Sequence, residues 1–244
     1  MEWTETGVVV AARPHGETSA VVEVFSRAQG RWAGLVRGAG GPRLRGLVVP
    51  GARVKASWRA RLAEHLGYMQ IESDGGLDAQ VFEDADALAG LSAACAVAAL
   101  ALPEREPHPG VFQAFEVLLG AFTEPELWPA LLVRWEAGLL KDLGYGLDLS
   151  RCALTGATED LAFVSPKTGR AANRAAAAPY QDKLLALPPF MVDASADLTP
   201  VEAAQGLALT GYFLDKWIFH PADKTLPPAR ERLAARMSVA AANG

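Results

Sequence analysis

The chain has 244 residues, half of them hydrophobic, and a formal net charge of −5. That length allows one large domain or two to three small ones with a sizeable core, and the composition excludes collagen-like, coiled-coil and disordered classes. Glu2 and Glu5 stand where a secretory signal would be basic. The longest uncharged run, Ala87–Leu102, is shorter than the ~18 residues of a membrane span, so a soluble, cytoplasmic protein with no membrane partner is expected. Cys95 and Cys152 are far apart in sequence, which argues against a disulfide framework.

In chain order, the first part reads as short strands. Gly7–Ala12 is a Val-rich run, and Ala20–Phe25 alternates. Arg31–Arg37 follows a turn at Gln29–Gly30, and Gly67–Ile71 is a fifth segment. The most regular segment is Arg53–Leu62. Val54, Ala56, Trp58, Ala60 and Leu62 share one face, with Arg53, Lys55, Ser57, Arg59 and Arg61 on the other. Five short strands punctuated by Gly and Pro predict a small barrel.

From about Asp78 the period becomes helical. Val81–Leu102 is stopped by Pro103, and Gly110–Phe122 follows. The stripe of Leu127, Leu131, Leu132, Trp135, Leu139, Leu140 and Leu143 ends at Gly144. Residues 145–180 read as irregular. Helix is expected again at Gln181–Leu187, at Thr199–Phe219 with Thr199 as cap and Pro200 at the first turn, and at Pro227–Met237. The fold class is therefore α+β: a barrel domain over residues 1–77, then a helical domain over 78–244 carrying an insert at about 145–180.

Charge is unevenly spread. Residues 1–67 hold ten basic groups and five acids, a local +5 that leaves −10 for the rest of the chain. Such asymmetry points to a polyanion-binding end. The candidate nucleic-acid contacts are Arg31, Arg37, Arg43, Arg45, Arg53, Lys55, Arg59 and Arg61. They lie in the basic strand runs and in the glycine-rich, flexible loop Arg37–Arg45, whose arginines suit phosphates. The loop is not a P-loop, because no Gly-Lys-Ser/Thr follows and the next element is a strand. Trp3, Phe25, Trp32, Trp58 and Tyr68 are aromatic, but Trp58 falls on an apolar face and none is singled out as a base stacker.

Metal and enzyme signatures are poor. Cys152 opens Cys-Ala-Leu-Thr, where a zinc knuckle needs a second Cys at Thr155, and the four histidines are scattered. No hydrolase, zincin or dinucleotide motif is present. Asp148, Glu159 and Asp160 read as turn and cap residues more readily than as a catalytic pair. No cofactor is expected. Arg134 beside Trp135 suits the lip of an apolar pocket that takes a peptide carboxylate.

Several segments resemble the RecO family. They are Arg13-Pro-His-Gly-Glu-Thr-Ser19, then Gly30-Arg31 with Leu35–Ala39, the run from Arg134 through Gly144 to Cys152, and Phe213-Leu214 with Pro227–Arg232. Leu102–Pro109 is similar to the alphaproteobacterial branch. The resemblance implies an OB-fold N-terminal domain, a helical C-terminal domain and a zinc-ribbon-like element. It implies a non-enzymatic recombination mediator of the RecF pathway type. Such a protein binds and anneals single- and double-stranded DNA and, with RecR, helps load RecA onto strands coated by the single-stranded DNA-binding protein, SSB. It also implies a nucleoid-associated location, and a role for Arg134 in holding the SSB C-terminal peptide. The chain departs from the pattern where some members carry four zinc-binding cysteines. Here only Cys152 remains, opposite Thr155, with Ala171 and Arg174 near where the second pair would fall, so a metal-free remnant held by Thr155, Gly156, Ser165 and Gly169 is expected. The alternatives are a protein-interaction scaffold, an RNA-binding barrel, and a nuclease with Mg²⁺ on Asp148 or Asp160.

Overall fold

The computed structural model describes residues 1–62, 64–75, 80–193 and 195–243. The chain forms two compact units, Met1–Thr123 and Glu124–Gly244. The expected boundary at 77/78 lies outside the described residues.

The first unit begins with five strands: β1 (Glu2–His15), β2 (Ser19–Ser26), β3 (Gly30–Val36), β4 (Arg53–Arg59) and β5 (Tyr68–Ser73). They close into a barrel in the order β1-β2-β3-β5-β4, with β4 returning to β1. The pairings are antiparallel except that of β3 with β5, which is parallel at Leu35 and Tyr68. This is the OB-fold order. The expected apolar face of β4 is the inward one, where Val54, Ala56 and Trp58 join Val9, Val22, Val24, Met69 and Ile71 in the core. The strand ends at Arg59, earlier than expected, and Leu62 is exposed beyond it.

Val8, Val9 and Val10 are all buried, which simple alternation forbids. A bulge between Val9 and Ala11 supplies the irregularity, and both faces of this region are covered. After a short turn α1 (Gln80–Glu83), helices α2 (Ala85–Ala101) and α3 (Pro109–Ala121) lie against β1 and β2. Phe25 on β2 meets Phe112 and Phe115 of α3, with ring centroids 5.1 and 6.0 Å apart. The single helix expected over Val81–Leu102 is broken at Asp84, whose carboxylate caps α2 by accepting from the amides of Asp86 and Ala87.

The second unit holds α4 (Trp128–Asp142), β6 (Leu161–Val164), β7 (Ala171–Asn173), α5 (Arg174–Ala177), β8 (Leu185–Ala186), α6 (Pro200–Phe213) and α7 (Pro228–Asn243). The segment expected to be irregular carries a small antiparallel sheet, β7-β6-β8. Strands of two to four residues are too short to show a period. The helix expected over Gln181–Leu187 is instead a 3₁₀ turn, Ala178–Lys183, followed by β8. The start of α6 is as expected: Thr199 and Glu202 form a reciprocal capping box with Pro200 in the first turn. The helical run continues to Phe219 through a π turn.

An ion pair joins α4, α6 and α7. Arg230 and Glu136 are both wholly buried. Arg230 Nε donates to Glu136 Oε1 at 2.6 Å, and one terminal nitrogen donates to Oε2 at 2.9 Å and to the Leu207 carbonyl at 2.7 Å. The Thr210 hydroxyl donates to the same carboxylate. Breaking one partner of such a pair strands a buried charge. Glu136→Ala is therefore expected to lower unfolding free energy by about 3–5 kcal/mol, read by urea denaturation of this unit's helical signal. A loss under about 1 kcal/mol would mean the pair behaves like a surface one.

Candidate nucleic-acid interface

The barrel has a covered side and an open side. The β1–β2 side lies under α2 and α3, while Lys55, Arg59, Tyr68, Gln70 and Glu72 on the outward faces of β4 and β5, and Arg37, Arg43 and Arg45 in the β3–β4 connection, are exposed. Outward residues of β5 are Tyr68, Gln70 and Glu72, and those of β4 are Lys55, Ser57 and Arg59. The register sets Arg59 opposite Tyr68, Ser57 opposite Gln70, and Lys55 opposite Glu72. On the other edge Glu2 stands opposite Arg59. The single-strand pattern shows no acid among these bases, but the sheet brings two acids in from neighbouring strands.

Two of the eight basic candidates are paired with carboxylates of the unit itself. Arg31 donates to Glu23 at 2.6 Å and to the Leu102 carbonyl at 2.9 Å, with its side chain only 15% exposed. It thereby pins the segment after α2 to the barrel. Arg53 pairs with Glu116 of α3 at 3.3 Å. Arg37, Arg43, Arg45, Lys55, Arg59 and Arg61 are all exposed. Arg37, Arg43 and Arg59 line one hollow of about 460 Å³ with Leu44, Tyr68 and Gln70.

The connection carrying Arg37, Arg43 and Arg45 is built of successive hydrogen-bonded turns. The Leu44 and Arg45 amides donate to the Gly41 carbonyl, and those of Leu47 and Val48 to Leu44. Ala39 is buried, and Leu44, Leu47, Val48 and Val49 pack onto the barrel core. The apolar residues of the connection thus face the barrel core, and Arg43 and Arg45, interleaved with them, are exposed.

Residues 1–73 match the family model described as Recombination protein O N terminal, and residues 82–227 match Recombination protein O C terminal. The chain belongs to the Recombination protein O family. It is 56% identical over 240 residues to the DNA repair protein RecO of Phenylobacterium zucineum, covering 98% of this chain and 99% of that one. It is 49% identical to the RecO of Caulobacter sp. strain K31 over the same shares. Identity to that of Rhodospirillum centenum is also 49%, over 97% and 94% of the two chains.

Within this RecO-family chain, the second unit holds the remaining candidates. Arg134 on α4 donates through Nε to the Phe190 carbonyl at 3.1 Å and through a terminal nitrogen to that carbonyl and to that of Asp193. Its guanidinium thus closes the 3₁₀ turn Pro189–Met191. Asp193 has a depressed pKa because the Ser195 hydroxyl and amide donate to it, with a smaller contribution from Arg134. Asp148 is held low mainly by the Ser150 hydroxyl and amide, with Arg170 beside it. Asp160 pairs with Arg174. Both proposed Mg²⁺ carboxylates are thus already matched to arginines.

The residues at the remnant zinc positions do not fit a tetrahedral metal site, which needs four N or S ligands. Among the described residues no three His, Cys, Asp or Glu side chains are grouped so as to hold a metal ion. Hydrogen-bonded turns occupy the knuckle positions. The Gly156 amide donates to the Cys152 carbonyl, and the Gly169 amide to that of Ser165. Gly169 has φ +67°, and a Cβ there would lie 2.6 Å from the Trp217 ring, so only glycine fits.

The two cysteines differ. Burial pushes the Cys95 thiol up to about 12. Burial opposes ionisation of Cys152 too, but hydrogen bonds from the Thr155 hydroxyl and the amides of Asn173, Leu154 and Thr155 bring it down to about 7. Because this pKa is depressed on folding, the thiolate's contribution to stability is full above the unfolded value and is lost as pH falls through about 7. Thiolate absorbance at 240 nm should show one thiol titrating near pH 7, with the step moving upward in Thr155→Val. No step below pH 8.5, the value of a free thiol, would refute the hydrogen-bonded turn as its cause.

Proposed function

We propose that this chain is a DNA repair and recombination mediator that acts by binding, without a covalent step of its own. The observation that carries the reading is the set of exposed bases on the open side of an OB-fold barrel, in a chain otherwise acidic. Phosphates approaching Arg37, Arg43, Arg45, Lys55, Arg59 and Arg61 release condensed counterions, which gives sequence-independent affinity for single- and double-stranded DNA. Two complementary strands neutralised on one basic surface repel each other less, which favours annealing. Arg31 and Arg53 contribute by holding the barrel against its helices.

Family membership supports the finer reading: cooperation with RecR, loading of RecA onto SSB-coated single strands, and action on DNA in the bacterial cytoplasm and nucleoid. Among the described residues no helix is long and apolar enough to cross a membrane. The net negative charge beyond the barrel disfavours DNA and suits protein contacts. Arg134 is the proposed position for the SSB tail carboxylate, resting on the family resemblance.

The test is fluorescence anisotropy of the full chain with labelled single-stranded DNA over a salt series, comparing wild type with Arg43→Ala/Arg45→Ala/Arg59→Ala. The expected result is tight binding at low salt, with the triple variant shallower in log–log slope by about two units, at ~0.7 per lost contact. No binding by wild type at low salt would overturn the reading, and an unchanged slope would move the site elsewhere. For the peptide, Arg134→Ala should abolish binding of an SSB C-terminal peptide in calorimetry while leaving the DNA salt slope unaltered.

A further inference from the structure

The site proposed above is electrostatic and treats every phosphate chain alike. One feature of the same face is of another kind, an exposed aromatic ring. Among the described barrel aromatics, Trp58 is 1% exposed and Phe25 wholly buried. Trp3, Trp32 and Trp58 pack on one another at centroid distances of 4.9–6.2 Å, and the Arg105 guanidinium lies over Trp32 at 4.8 Å. Tyr68 differs, being 43% exposed on the outward face of β5 at its first residue.

Its backbone is fixed on both sides. Tyr68 pairs with Leu35 across the parallel seam and with Arg59 across the antiparallel one. Just before it, Gly67 turns the chain at φ +67°, and a Cβ there would meet Trp58 Nε1 at 2.5 Å. Trp58 Nε1 in turn donates to the Leu66 carbonyl at 2.8 Å. Arg37 lies over the Tyr68 ring at 4.4 Å and donates to its hydroxyl at 2.8 Å. Besides an open depression beside Met1 and Arg61, Tyr68 lines two hollows. One, of about 460 Å³, has Arg37 and Arg43 in its wall. The other, of about 410 Å³, is lined by Glu2, Trp3, Thr4, Ser57, Trp58, Arg59 and Gln70 besides Tyr68. Both volumes are in the range of small-ligand clefts.

Building on the DNA-binding reading, we infer that Tyr68 is a stacking platform for one unpaired base, so that the barrel favours single strands over duplex. Arg37 braces one side of the ring, and the base stacks on the side of the hollow lined by Ser57 and Arg59. Every base has a π-face, so the contact is tolerant of sequence. In a duplex that face is covered by neighbouring base pairs. The flanking arginines take the phosphates on either side of the stacked nucleotide.

The test uses the full chain and three labelled probes at one salt concentration: an oligothymidylate, an abasic strand of equal length, and a duplex. Tyr68→Ala and Tyr68→Leu are each expected to weaken oligothymidylate binding about ten-fold. Both should leave the abasic strand and the duplex within about two-fold and the salt slope unchanged, because no phosphate contact is lost. Tyr68→Phe, which keeps the ring, should bind like wild type. Leucine retains apolar bulk without a π-face, and melting curves for each variant separate loss of stacking from loss of fold. Equal weakening toward all three probes would show Tyr68 acting only by holding Arg37 and would overturn the inference. So would unchanged oligothymidylate binding while wild type binds all three. Wild type binding none of the probes would sink the DNA reading itself, a result distinct from either.

Discussion

The open side of the barrel depends on one seam, the parallel pairing of Leu35 with Tyr68. The Leu35 amide donates to the Gly67 carbonyl at 3.0 Å, closing β3 onto β5. Without that closure the sheet would have two free edges. With it, Tyr68, Arg59 and Arg37 come from three strands or their ends to one place. The indole of Trp58 supports the seam from inside through its bond to Leu66, so the core residue and the exposed site are mechanically one structure.

The same unit shows how burial sorts similar side chains into different tasks. Arg31, Arg37 and Arg53 are indistinguishable by charge. Arg31 is enclosed by Glu23 and the C-terminal carbonyl of α2, Arg53 is answered by a carboxylate of α3, and Arg37 is directed onto an exposed aromatic ring. Position in the barrel decides this: Arg31 and Arg53 lie within reach of Glu23 on β2 and Glu116 on α3, whereas Arg37, at the start of the connection between β3 and β4, meets Tyr68.

In the second unit the organising contact is the buried Arg230–Glu136 pair with Thr210, which fixes α7 and α6 against α4. It is a polar tie in an apolar interior, and every donor added to the Glu136 carboxylate offsets its desolvation. The small sheet nearby shows a related economy. Where a metal would hold two knuckles together, glycine turns and backbone hydrogen bonds hold them instead, and the one remaining thiol is absorbed as a hydrogen-bond acceptor.

Much of this was legible from the chain alone. Alternation over Arg53–Arg59 identified the inward and outward faces of β4, because side-chain direction in a strand has period two. The capping box at Thr199 and the stop at Gly144 are local chemistry, and the uneven charge located the basic end. Other features depend on partners distant in sequence. The acids Glu2 and Glu72 flank the basic strand only through sheet register. Arg31 is committed by a residue 71 positions away, and Glu136 meets Arg230 across 94 positions. Strands as short as β6, β7 and β8 carry no period to read. Tyr68 was one aromatic among five until packing consumed the other four. Sequence determines which groups the chain owns and which face of each element they occupy. Tertiary structure decides which of them are neutralised by a neighbour and which are left facing water, because that depends on contacts that local pattern does not encode.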